Sequence, residues 1–110
     1  MSPAIKNFIR FELTSYHSNK QALSAFPNDQ LISQRHLRWM SFVLRGIDDA
    51  LASFNDDLRR YVELRYFQGK VETNDIITCK LNISERTVRS WDLRVLETVG
   101  RNIGVLNSVK

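Results

Sequence analysis

The strongest constraint on the fold is an apolar seam in the middle of the chain. Apolar side chains recur there at alternating spacings of three and four residues, at Leu37, Met40, Leu44, Ile47, Leu51 and Phe54. Helices that pack along their length against another helix have this spacing. The seam predicts a helix over residues 30–54, about 25 residues and roughly 40 Å long. A compact domain of this size has a radius of gyration of only about 13 Å, so this helix must lie against another long helix or protrude.

A second helical segment precedes the seam and is one candidate partner for it. Ser2 followed by Pro3 is typical of a helix N-terminus. Apolar residues then recur at a loose helical spacing up to Pro27, which ends the helix because the residue before a proline is driven out of the helical conformation. Asn28 or Asp29 is expected to cap the next helix. The seam then pairs with this first helix within one chain or forms the interface of a dimer, and the sequence leaves both alternatives open.

Three shorter helices are predicted after the seam. They run from residues 55–57 to Phe67, from Thr73 or Asn74 to Lys80, and from Glu85 to Val99. No segment alternates polar and apolar residues as a strand would, and 4 Gly and 2 Pro are few for a sandwich or a barrel. We therefore expect an all-α chain of five helices. Residues 1–54 would form a long N-terminal helical hairpin, for oligomerisation or partner contact, and residues 55–110 a C-terminal trihelical domain.

Composition argues against several classes of protein. No apolar run approaches the roughly 20 residues that cross a bilayer, and the first residues carry charge within their apolar stretch, unlike a secretory signal. The single cysteine, Cys79, rules out an internal disulfide and a Cys-x-x-Cys site. His17 and His36 lie in no metal-binding spacing. We expect a cytoplasmic protein with no metal and no cofactor.

An enzyme is not expected either. The acidic pairs Asp48-Asp49 and Asp56-Asp57 consist of adjacent residues, which point in different directions on a helix and form no facing carboxylate dyad. The sequence has no glycine-rich phosphate loop and no spacing that suggests a Ser/His/Asp arrangement. No residue is therefore assigned a catalytic role.

Residues 74–94 have the pattern of a helix-turn-helix, in which two helices cross steeply around a small shared core. Apolar anchors are expected four, six, eleven and fourteen residues after the first one, and the chain places Ile77, Leu81, Ile83, Val88 and Trp91 there. Asn82 occupies the turn, where a left-handed conformation is often needed. Ser84 is placed to cap the second helix. Thr78 departs from the small apolar residue usual at the crossing.

With these anchors inward, the opposite face carries the candidate DNA-binding residues. They are Lys80, Ser84, Glu85, Arg86, Thr87, Arg89, Ser90 and Arg94. Arginine makes bidentate hydrogen bonds to guanine in the major groove, and hydroxyl side chains bond phosphates or bases. The net charge of +4 is compatible with a polyanionic partner. The alternative is a solvated helix face with internal pairs such as Glu85 with Arg89, and for Lys80 an interaction with the helix dipole.

The segment from residue 55 to 104 resembles the C-terminal domain of phage transcriptional regulators of the ArpU and RinA type, which is itself similar to region 4 of bacterial sigma factors. The matching residues are Leu58, Leu64, Arg65, Tyr66, Ile77, Leu81, Ile83, Ser84, Arg86, Thr87, Val88 and Trp91. In that family, a helix with the sequence Leu-Arg-Tyr precedes the helix-turn-helix and supports it. Departures are Thr78 and the lead-in at residues 73–75.

The resemblance implies a sequence-specific DNA-binding regulator, encoded by a phage or prophage, that acts on late or packaging gene promoters in a bacterial host cell. Its partners would be double-stranded DNA, RNA polymerase and a second copy of the chain, since a single small module gives limited affinity. Two alternatives stay open. A small terminase subunit would also combine a helix-turn-helix with an oligomerising helical region, and a sigma-like module could bind RNA polymerase without specific DNA contact.

Overall fold

A computed structural model describes residues 1–25 and 34–106. This part of the chain contains six helices and no strand: α1 Pro3–Thr14, α2 Tyr16–Ala25, α3 Gln34–Ser53, α4 Asp56–Tyr66, α5 Asn74–Leu81 and α6 Glu85–Asn102. The expected all-α class is confirmed. Within these residues, no helix is both long and apolar enough to cross a membrane.

The prediction of one helix from Pro3 to Phe26 was wrong, because the helix breaks at Ser15. The backbone N–H of Ser15 donates to Phe11 and Leu13, which closes α1. The hydroxyl of Thr14 also donates to the backbone oxygen of Phe11, at 2.9 Å. Hydroxyl side chains that bond the backbone of the preceding turn in this way often bend a helix. Residues 1–25 and 34–106 therefore contain six helices where five were expected, and the predicted cap at Asn28 or Asp29 lies outside the described residues.

Side-chain caps begin four of the helices. The Ser2, Asn55, Thr73 and Ser84 side chains accept hydrogen bonds from the backbone N–H groups of Ile5, Leu58, Ile76 and Thr87, at 3.2, 2.9, 3.4 and 3.1 Å respectively. Each cap satisfies an N–H that the first turn of a helix leaves without a partner. The helix starts that the sequence indicated at these four positions are confirmed.

The seam of α3 is buried within the chain. Leu37, Met40, Leu44, Ile47 and Phe54 are all buried, and only Leu51 of the seam is partly exposed. The helices that pack against α3 are α2 and α6. Intrachain packing therefore covers the seam, and the homodimer stays a prediction that would need another surface.

Helix α3 and the end of α6 approach each other closely at Gly46. A Cβ atom added there would lie 2.6 Å from Cγ2 of Ile103, a distance that carbon atoms do not reach. The Asn102 side-chain amide donates to the Gly46 backbone oxygen at 3.0 Å. The absence of a side chain at residue 46 therefore lets the last turn of α6 lie directly against α3.

One continuous hydrophobic core joins the helices. It includes Ile9 and Leu13 from α1 and, from the later helices, Ile47, Leu58, Tyr61, Tyr66, Ile77, Val88, Val95, Leu96 and Val99. Helix α1 packs against both α4 and α6. The first helix is thus adjacent to the candidate site, while the division into domains at residues 54 and 55 stays a prediction.

Candidate nucleic-acid interface

Helices α4, α5 and α6 pack against one another, and the five predicted anchors lie on their inner side. Ile77 and Val88 are fully buried, while Leu81, Ile83 and Trp91 are partly buried against the same core. The Trp91 ring meets the Tyr61 ring of α4 edge to face, with centroids 6.1 Å apart. Aromatic pairs favour this geometry. The anchors therefore hold α6 against both α4 and α5.

A three-residue turn connects α5 to α6. Asn82 adopts the left-handed conformation, with φ 54° and ψ 50°, and in the described residues no other residue except glycine has a positive φ. Its backbone N–H donates to the Thr78 oxygen and so closes α5. The Thr78 hydroxyl donates to the backbone oxygen of Asp75 at 2.8 Å. Thr78 stands at the helix crossing in place of the usual small apolar residue, and this bond gives its hydroxyl an acceptor.

The predicted site residues lie on the accessible side of α6 and its surroundings. Seven of them are exposed, namely Lys80, Ser84, Glu85, Arg86, Arg89, Ser90 and Arg94, and Thr87 is partly buried. Arg86, Ser90 and Arg94 follow one another at intervals of four residues, so they form one stripe along α6. The Thr87 hydroxyl is 2.9 Å from the Ser84 hydroxyl within the cap.

The Glu85–Arg89 pair that the alternative interpretation expected is present. Nη2 of Arg89 lies 3.3 Å from Oε1 of Glu85, and both side chains are more than half exposed. Exposed pairs of this kind contribute about 0–1 kcal/mol to stability. The pair therefore leaves both side chains available to a ligand at little cost.

Lys80 and Arg89 lie beside different cavities. Lys80 lines a cavity of about 190 Å³ together with Asp57, Arg60 and Trp91. Arg89 lines another, of about 290 Å³, which also includes residues of α1 and α4. Basic side chains therefore occur near α6 in two separate places, and the sequence had indicated only those on α5 and α6. In the described part of the chain, no group of three or more His, Cys, Asp or Glu could hold a metal ion.

A buried carboxylate beneath α6 was missed by the sequence analysis. Asp92 accepts hydrogen bonds from the Tyr61 hydroxyl at 2.8 Å, from the Tyr66 hydroxyl, and from Nη2 of Arg10 at 2.8 Å. These contacts tie α6 to α4 and α1 through polar groups. A signal existed in the spacing, because Asp92 follows the buried Val88 by four residues and so lies on the inner side of the helix.

Burial raises the pKa of Tyr61 and of Tyr66 above that of an ordinary tyrosine, and the Asp92 carboxylate raises both further. Burial likewise raises the pKa of Tyr16. Because the folded state favours the neutral phenols, their contribution to stability is complete below the unfolded-state pKa, about 10. It is lost as the pH rises toward the higher folded-state pKa values.

We therefore expect the free energy of unfolding to fall steadily above about pH 10. Denaturant titrations at several alkaline pH values would measure this decline, and Tyr66→Phe should make it shallower because one titrating phenol is removed. Tyrosines that ionise near pH 10 in protein that is still folded, as judged by ultraviolet absorbance and circular dichroism, would contradict the expectation.

No protein-family model matches the chain, and the searches of curated proteins and of solved structures find no match either. The resemblance to phage regulators thus stays a prediction from the residues quoted for it.

Proposed function

We propose that the chain is a sequence-specific DNA-binding transcriptional regulator. In this proposal α5 and α6 form a helix-turn-helix, α4 supports it, and α6 is the recognition helix. The main support is one observation: the left-handed Asn82 and the Ser84 cap direct α6 so that its anchors are buried while Arg86, Arg89 and Ser90 are exposed. An α-helix with such a face fits the major groove, which is about 12 Å wide.

Each of the predicted site residues has a chemical role in this proposal. Arg86 and Arg89 would make bidentate hydrogen bonds to guanine, and Glu85 would accept from the amino group of cytosine. Ser84, Thr87 and Ser90 would bond phosphates or base edges, and Lys80 and Arg94 would neutralise phosphates. On binding, Glu85 and Arg89 would give up their weak exposed ion pair and contact bases instead.

The biological setting of the proposal comes from the resemblance alone. It is control of late or packaging gene promoters by a phage-encoded protein, with RNA polymerase as a second partner. As a homodimer, the protein would place two copies of α6 in half-sites about 34 Å apart.

Arg86→Ala and Arg89→Ala are each expected to reduce discrimination between the preferred duplex and a single-base variant by about 1–3 kcal/mol, or roughly 5- to 150-fold. The preferred duplex would first be selected from a random pool at two salt concentrations. Equilibrium binding of both duplexes then gives the discrimination. Arg101→Ala is the matched control, because Arg101 is an exposed arginine in the last turn of the same helix.

The DNA-reading assignment fails if both variants keep their helicity and their discrimination. Binding to RNA polymerase without any salt-dependent binding to DNA would favour the sigma-like alternative, since neutralising several phosphates gives a steep salt dependence. Ring-shaped oligomers that recognise a packaging site would favour a small terminase subunit.

A further inference from the structure

A cavity of about 290 Å³ lies where α1, α4, α5 and α6 meet, and half of the described residues that line it are basic. Its charged and amide residues are Lys6, Arg10, Arg65, Asn74, Arg89 and Asp92. Four of these are cationic and one is anionic. Each molecule of liquid water occupies roughly 30 Å³, and the cavity has about ten times that volume. A phosphate group with part of its hydration shell therefore fits.

The single carboxylate of the cavity is already occupied. One oxygen of Asp92 accepts from the Tyr61 and Tyr66 hydroxyls, and the other accepts from Arg10 at 2.8 Å. Asp92 and Arg10 therefore compensate each other within the wall. Of the remaining cations, Arg89 pairs with Glu85 at 3.3 Å outside the cavity, so Lys6 and Arg65 make the wall positive in net charge.

These three cations have unused hydrogen-bond donors. The Lys6 ammonium has no ion-pair or hydrogen-bond partner among residues 1–25 and 34–106. The Arg65 guanidinium uses only Nη1, which donates to the Tyr61 hydroxyl at 3.0 Å, and its buried Nε has no partner in the same part of the chain. A guanidinium has five N–H donors in a planar fork that matches phosphate oxygens. Among the described residues, Arg89 makes only the exposed pair with Glu85.

We infer that this cavity binds a phosphate group, and that the phosphate belongs to the DNA backbone. The assignment to DNA rests on the proposed function and on Arg89, which both lines the cavity and flanks the exposed stripe of α6. A duplex that lies along α6 would bring one strand to the cavity mouth, where Asn74 begins α5. Helix α1 then takes part in DNA binding through Lys6.

The test uses the full-length chain and Lys6→Gln, since Lys6 makes no described contact that folding would lose. We expect the slope of log binding constant against log salt concentration to become shallower by about 0.9. Affinity should fall equally for the selected and a scrambled duplex, because phosphate contacts have no sequence preference. Lys6→Arg should restore the slope. Lys20→Gln is the matched control, because it removes the same charge from α2, outside the cavity.

Two further measurements distinguish a failure of the phosphate inference from a failure of the proposed function. If Arg86→Ala loses discrimination while Lys6→Gln keeps the wild-type salt slope, the proposed function stands and the phosphate inference is overturned. If the wild-type protein binds no DNA specifically, inorganic phosphate is titrated alone and followed by nuclear magnetic resonance. Shifts of the Arg65 and Arg89 signals that Lys6→Gln abolishes would then support a site for a free phosphate-bearing ligand, and signals that phosphate leaves unchanged in the wild-type protein would overturn the site itself.

Discussion

Asp92→Ala is expected to lower the free energy of unfolding by about 3–5 kcal/mol. The substitution removes the acceptor for two buried tyrosine hydroxyls and the partner of Arg10, whose side chain is only 29% exposed. A polar group that is left buried without a partner destabilises the fold by its full desolvation free energy. Chemical denaturation at neutral pH, followed by circular dichroism, would measure the loss.

Two further variants make this result interpretable. Asp49→Ala removes an exposed carboxylate from α3 and should have little effect. Asp92→Asn keeps the shape and one acceptor oxygen but loses the charge, so it should lie between the wild-type protein and Asp92→Ala. An Asp92→Ala variant that is as stable as Asp49→Ala would show that the carboxylate does not join α6 to α1 and α4.

Leu44→Asp should unfold the protein. Leu44 is buried in the α3 seam, and fully burying a leucine stabilises a fold by about 1.5–3 kcal/mol. The aspartate would also be buried without a partner, which costs several kcal/mol more. Together these losses approach the 5–15 kcal/mol by which folded proteins are typically stable.

Arg45→Asp is the matched control, because its side chain is exposed next to Leu44 on the same helix. Circular dichroism and light scattering would report folding and molar mass. A Leu44→Asp protein that stays folded with an unchanged mass would contradict the buried seam. A folded variant that changes from dimer to monomer would instead place the seam at an interface between copies.

The sequence predicted the structural features that are determined by residues close to one another along the chain. The side-chain caps and the left-handed turn are set by groups within a few residues of one another, as at Ser84 and Asn82. The apolar spacing of α3 likewise identified its buried face. The break at Ser15 was missed because it depends on hydroxyl groups bonding the backbone of the preceding turn, which apolar spacing does not record.

Contacts between distant segments were not predictable in this way. Asp92 bonds Tyr66 and Arg10, which lie 26 and 82 residues away along the chain, and helical spacing relates only residues within one helix. The contact of α3 with α6 has the same origin, whereas its contact with α2 was one of the two alternatives that the sequence left open. For the candidate site, the sequence indicated the outward face of α6 but not the cations that α1 and α4 add beside it.

Helix α6 spans the fold as a rod. Its 18 residues extend about 27 Å, with the last turn pressed against Gly46 of α3 and the first turns packed on α4 and α5, so that only their outer face is exposed. A tilt of about 5° around the pressed end would displace the opposite end by roughly 2 Å, enough to change hydrogen-bond partners. In the proposed complex, evolutionary change at residues 46 and 103 would therefore retune which bases the arginines meet, although neither residue comes near the duplex.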